Sequence, residues 1–254
     1  MLKVRIIPIL TFNGFGLVKT KNFTNPRMIG NPVQAARVYN SRGVDELVFL
    51  DIFASEQNRK INLKLVADVI KECYMPVAIG GGIKTVEDIS SLLKIGADKV
   101  VIKTLILDCP DFINEASSVF GAQCITIAID TIKIDNDYFI FNKKNNHIKL
   151  TDFLNTISKF KFGEIILTSV NNDGMMNGFD LDLVRLVEEN IPVPIVVTGG
   201  GGEPSHFQEL FTKTDVEAVA ASSIFHFTQY TPHDIKKSIN DIGKPVRILK
   251  NSVI

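Results

Sequence analysis

Val77 to Thr104 reads VAIGGGIKTVEDISSLLKIGADKVVIKT, and Val196 to Ser223 reads VVTGGGGEPSHFQELFTKTDVEAVAASS. Aligned without a gap, Gly80, Gly81 and Gly82 fall on Gly199, Gly200 and Gly201, and Thr104 falls on Ser223. Each copy is an apolar run, a glycine cluster, a helical stretch, a second apolar run and a hydroxyl residue. Internal repetition of this kind decides architecture ahead of any single element. The glycines follow a strand and open a helix, where backbone amides can turn toward an anion. One copy alone fits either an anion site or a plain tight turn. Two copies in register favour the anion reading and predict a pair of sites related by a pseudo-twofold.

Outward from this pair, short apolar strands alternate with helices along the whole chain. Expected strands are Val4 to Leu10, Glu46 to Asp51, Met75 to Ile79, Lys99 to Ile102, Cys124 to Ile129, Glu164 to Thr168, Ile195 to Thr198 and Val216 to Ala221. Helical stretches separate them: Asn31 to Ser41, Asn62 to Cys73, Val86 to Ile95, Pro110 to Phe120, Thr151 to Phe160, Leu181 to Glu189, Phe207 to Phe211 and Thr231 to Asn240. Such alternation predicts a parallel sheet. Eight units in two equal halves predict one closed (βα)8 TIM barrel over residues 1–254, built from half-barrel repeats of about 1–120 and 121–254. Thr11 to Pro32 reads as a long polar connection, and Thr131 to Leu150 as a hairpin insertion around Asp135-Asn136-Asp137.

The length of 254 residues suits a single barrel, which runs to roughly 250. Lys plus Arg balance Asp plus Glu at 28 each, so no electrostatic case exists for nucleic acid. The three cysteines are scattered and form no CxxC, which reads as reduced thiols in a cytoplasmic protein. The start of the chain lacks the apolar core of a signal peptide, and no run reaches the ~18 residues of a membrane span. His147, His206, His226 and His233 show no metal-ligand spacing, so neither a metal nor another cofactor is expected.

In such a barrel the active site lies where the strands end. The polar residues there are Thr11, Asp51, Thr104, Asp130, Ser169, Asp173, Thr198 and Ser223. Asp130 follows CITIAI directly and reads as a general acid or base at the mouth, or else as a helix cap. The repeat aligns it with Thr11, so a carboxylate faces a hydroxyl where two carboxylates would make an acid–base pair. Lys19, in the long connection, reads as solvated or as reaching a phosphate. At the opposite end, Arg5, Glu46, Lys99 and Glu164 stand near strand starts. They fit either a polar ring across the barrel floor or a set of exposed charges.

Several stretches together resemble the cyclase subunit family of imidazole glycerol phosphate synthase. They include RIIP at Arg5 to Pro8, DELVFLDI at Asp45 to Ile52, GGGI at Gly80 to Ile83, GADKV at Gly96 to Val100, AID at Ala128 to Asp130, GEIILTS at Gly163 to Ser169 and FHF at Phe225 to Phe227. The resemblance implies a half-barrel-repeat fold. It implies phosphate sites at Gly82 and Thr104, and at Asp173, Gly174, Gly200 and Ser223. It also implies catalytic positions at Asp130 and Thr11, a glutaminase partner on the barrel floor, and ammonia passing a gate of Arg5, Glu46, Lys99 and Glu164. Two positions depart from the family: Thr11 stands where an aspartate is expected and Lys103 where an asparagine is expected. In this respect the chain resembles diverged copies that accompany a glutaminase in amidating bacterial surface sugars.

Three functions follow as expectations. The first is a cyclase-type synthase subunit that uses channelled ammonia on a phosphorylated substrate in surface-sugar amidation. The second is the imidazole glycerol phosphate synthase cyclase of histidine biosynthesis. The third is a non-catalytic ammonia conduit.

Overall fold

The computed structural model describes residues 2–142 and 148–248. The chain opens with β1 (Arg5–Phe12), the hairpin β2 (Leu17–Lys21) and β3 (Thr24–Gly30), and α1 (Pro32–Ser41). β4 (Leu47–Asp51), α2 (Leu63–Ile70), β5 (Val77–Gly80), α3 (Val86–Lys94), β6 (Lys99–Ile102), α4 (Thr104–Asp108) and α5 (Phe112–Phe120) follow. Next come β7 (Ile125–Ile134), β8 (Asp137–Ile140), α6 (Leu150–Ile157), β9 (Glu164–Ser169), α7 (Leu181–Asn190) and β10 (Ile195–Thr198). The chain continues through α8 (Pro204–Lys213), β11 (Ala218–Ala221), α9 (Ser223–Phe227) and α10 (Pro232–Asp241).

Eight of these strands, β1, β4, β5, β6, β7, β9, β10 and β11, pair in parallel in that order. The barrel closes where β11 pairs with β1, Arg5 opposite Ala218 and Pro8 opposite Ala221. This is a (βα)8 TIM barrel. Strand periodicity divides the core into two layers. Ile7, Ile9, Val48, Ala78, Val101, Ala128, Ile166, Val196 and Ala220 fill the barrel interior. Ile6, Leu10, Leu47, Phe49, Ile79 and Val100 point the other way and pack under the helices.

Local chemistry sets the helix starts. Asn31 caps α1 by accepting from the amides of Val33 and Gln34, with Pro32 at the first helical position. Thr85 and Asp88 close a capping box on α3, as Thr231 and Asp234 do on α10.

Two expectations are corrected. The stretch from Thr11 to Pro32 is no irregular connection, because β2 and β3 form an antiparallel hairpin within it. β3 is exposed along nearly its whole length, so it carries polar residues and shows no apolar alternation. Asp130 neither ends its strand nor caps a helix: β7 runs on to Ile134, because its last residues pair with β8. The short helices α4 and α9 were also not anticipated; they occupy matching places after β6 and β11. His147 lies outside the described residues.

Candidate active site

A cavity of about 480 Å³ opens at the end of the barrel to which the strands point. Thr11, Gly82, Thr104, Asp130, Asp173, Gly174, Gly200 and Ser223 all line it, so these eight sequence-chosen residues meet in one place. Thr198 and Asp51 line it as well, whereas Ser169 is buried beside it in β9.

Both glycine clusters line the cavity, through Gly81 and Gly82 and through Gly199, Gly200 and Gly201. Gly82 has φ +69, and a Cβ there would lie 2.6 Å from the Arg59 carbonyl. Gly200 has φ +114, and a Cβ would lie 2.0 Å from the Gly178 carbonyl. Neither position accepts a side chain, so the backbone stays bare toward the cavity. Thr104 opens α4 and Ser223 opens α9. The hydroxyls of Ser222 and Ser223 are buried without a hydrogen-bond partner. Ser222 was not singled out from sequence. Its signal was available, since the repeat aligns it with Lys103, the other residue just before a short helix.

The charged side chains of the mouth are paired. Lys103 donates to Asp130, which is buried. The Lys103 ammonium also lies 5.8 Å from the Phe23 ring centre. Lys19 is buried, not solvated, and its ammonium is 2.8 Å from the Asp173 carboxylate. Asp51 is gripped by both terminal nitrogens of Arg59. The Thr11 hydroxyl donates to the Val18 carbonyl in β2. His226 sits 3.4 Å from the Tyr39 hydroxyl; burial first, then Lys19 and Arg42, hold its imidazole below its usual value. Among the described residues, no group of three or more His, Cys, Asp or Glu could hold a metal ion. None of their helices is long and apolar enough to cross a membrane.

At the other end of the barrel four charges close a ring. Arg5 donates to Glu46 at 2.7 Å and to Glu164 at 2.9 Å. Lys99 donates to Glu46 at 2.9 Å and to Glu164 at 2.8 Å. The carboxylates are buried and the cations partly so, which sets aside the exposed-charge reading. Burial alone would raise the Glu164 carboxyl, but the charges of Arg5 and Lys99 outweigh it and hold it below the usual range. Burial works against the Arg5 guanidinium in the same way, and Glu164 and Glu46 overcome it.

The mouth of this closed (βα)8 barrel thus holds two bare glycine turns and three carboxylates, Asp51, Asp130 and Asp173, each paired with a cation. Comparison with known proteins places this architecture in a family. The family described as "Histidine biosynthesis protein" matches residues 5–231. The chain is 41% identical over 252 residues to "Imidazole glycerol phosphate synthase subunit HisF" of Staphylococcus saprophyticus, covering 97% of this chain and 100% of that protein. The proteins of that name from Thermococcus onnurineus and Streptococcus mutans are 40% and 39% identical, covering 98% and 97% of this chain and 99% and 100% of theirs. The chain belongs to the histidine biosynthesis family and is related to its cyclase-type HisF subunits.

Proposed function

We propose that this protein is the ammonia-consuming synthase subunit of a glutamine amidotransferase. A glutaminase docks on the barrel floor, ammonia rises through the barrel, and a phosphorylated substrate meets it in the mouth cavity. The observation that carries this reading is the closed ring of Arg5, Glu46, Lys99 and Glu164. A ring of paired charges is poor ballast for stability, because desolvation offsets much of its attraction. Its position across the barrel axis suits a gate. The chain reads as two half-barrels, about 1–120 and 121–254, each giving one phosphate turn. Gly82 and Thr104 form the first. Gly200 and Ser223, with Asp173 and Gly174 near them, form the second. Asp130 is the catalytic carboxylate.

The names of the relatives favour the histidine pathway for the reaction. There, ammonia and a phosphoribulosyl-formimino nucleotide give imidazole glycerol phosphate and an aminoimidazole nucleotide. One observation favours amidation of a surface sugar as a second reading: Thr11 offers no carboxylate, and Lys103 occupies Asp130. The non-catalytic conduit finds no support in a cavity so fully equipped.

The test is a steady-state assay of the chain with a glutaminase, supplied with the nucleotide and either glutamine or an ammonium salt. Complex formation with glutamine-dependent turnover supports the amidotransferase reading. Turnover of the nucleotide at typical enzyme rates of ~1–10³ per second assigns the histidine pathway. Binding of the glutaminase without nucleotide turnover shifts the assignment to the sugar.

A further inference from the structure

The dipeptide Asn-Gly occurs twice in the chain, at Asn13–Gly14 and at Asn177–Gly178. In this dipeptide the glycine amide nitrogen can attack the preceding asparagine side chain, because no Cβ shields it. The two glycines share one backbone conformation, with φ +101 at Gly14 and +102 at Gly178. Their amides differ. Gly178 is buried, its amide donates to the Gly200 carbonyl at 2.9 Å, and its carbonyl accepts from the Asn172 side chain at 2.8 Å. Gly14 is exposed in the loop between β1 and β2, and its amide meets no acceptor among the described residues. The Asn13 side chain is also set for reaction. Its Oδ1 accepts from the Phe15 and Gly16 amides, both at 3.0 Å, so two donors already face the oxygen on which charge develops when Cγ is attacked. Its Nδ2, the leaving nitrogen, donates to the Met28 sulfur at 3.7 Å, a weak acceptor.

We propose that Asn13–Gly14 is a self-modifying site at which the native protein loses the Asn13 side-chain amide, whereas the fold protects Asn177. The proposal is independent of what the mouth binds. Hydroxide takes the Gly14 amide proton, and the nitrogen forms a bond to Asn13 Cγ as the carbonyl π pair moves onto Oδ1. The pair returns, the Cγ–Nδ2 bond breaks, and the nitrogen leaves as ammonia with a proton from water, which restores the hydroxide. Water then adds to either carbonyl of the resulting succinimide and opens it to aspartate or isoaspartate. The sum is one water consumed and one ammonia released. The consequence lies in the hairpin. Isoaspartate adds one carbon to the main chain between β1 and β2, where Phe12 pairs with Leu17. That carbon shifts β2 against β1 and pulls on the Lys19–Asp173 pair, which ties the hairpin to the loop after β9. The hairpin therefore loosens as the protein ages.

The experiment needs neither a substrate nor a partner. The purified full chain is held in mildly alkaline buffer at physiological temperature, with a parallel sample in guanidinium chloride. Samples taken over time are digested and mapped by mass spectrometry, and electron-transfer fragmentation tells aspartate from isoaspartate. In the native chain position 13 should convert steadily, and position 177 ~10²-fold or more slowly, because its turn must open first. In guanidinium chloride the two rates should converge, since both sites are then Asn-Gly in an open chain. Asn13→Gln should abolish conversion at position 13 and leave position 177 unchanged, because the longer side chain must close a larger ring. A native chain in which Asn13 stays an amide, or in which both sites convert alike, would overturn the proposal. So would a difference that persists in denaturant, because neighbouring residues and not the fold would then set it. The isoaspartyl protein, separated by ion exchange, should exchange its amides faster across residues 17–30 than fresh protein does. Equal exchange would overturn the effect assigned to the hairpin.

Discussion

Gly200 and Gly243 separate two reasons for a glycine. Both have positive φ, +114 and +79, but a Cβ on Gly243 meets nothing within 4 Å while one on Gly200 meets the Gly178 carbonyl at 2.0 Å. Gly243→Ala should therefore cost only the left-handed backbone term of about 1–2 kcal/mol. Gly200→Ala should cost at least as much again through the clash, since overpacking typically adds about 1–3 kcal/mol. Thermal unfolding of the two variants checks this, and equal losses would mean that the Gly178 loop yields freely. The glycine turns were legible in the sequence because their two copies stand in register. The bond between Lys103 and Asp130 was not. Lys103 stood out only as a departure from the family, and its partner is fixed by the pairing of β6 beside β7, which no single stretch encodes.

The hairpin of β2 and β3 was the largest element the sequence concealed. Its outer strand is exposed and carries Pro26, which marks an edge strand yet reads as a loop signal. Its turn is made by Asn22 and Phe23, both with positive φ and neither a glycine, so the usual turn signature is missing. What holds the hairpin over the cavity is remote in sequence. Lys19 pairs with Asp173, and the Asn22 side chain donates to the Val170 and Asn171 carbonyls. Removing Asp173 leaves a buried ammonium uncompensated, a defect that typically costs about 3–5 kcal/mol. The hairpin can relieve it by lifting Lys19 into water. Asp173→Ala should therefore speed amide exchange across residues 17–30 while the strands of the barrel stay protected. Uniform acceleration through the barrel would show that the pair supports the whole fold and not the hairpin.

The barrel itself could be read from alternation and repeat, since eight strands with two-sided apolar burial have few other ways to close. The floor ring was readable only as charges near strand starts. Closure of the barrel brings them together, because Arg5, Glu46, Lys99 and Glu164 come from β1, the turn before β4, β6 and β9. This gives the ring a measurable signature. Arg5 and Lys99 hold the Glu164 carboxyl below its usual range, so Glu164 binds a proton less readily folded than unfolded. Its contribution to stability is complete above the unfolded carboxylate value near ~4.3 and is lost as pH falls through the lower folded value. Glu164→Gln removes that contribution and leaves two cations to share Glu46. At neutral pH the variant should be less stable by about 3 kcal/mol or more, the usual result of breaking a buried pair. For a domain near this size that is roughly 2–4 °C of melting temperature per kcal/mol. The gap should narrow as pH drops below ~4.3, where the unfolded chain takes up the proton first, and it should close once pH has passed the lower folded value and wild-type Glu164 is neutralised as well. Melting temperatures of both proteins from pH 7 downward test this. A gap that stays constant to the acid limit would mean that the floor charges do not act on Glu164 as their distances imply.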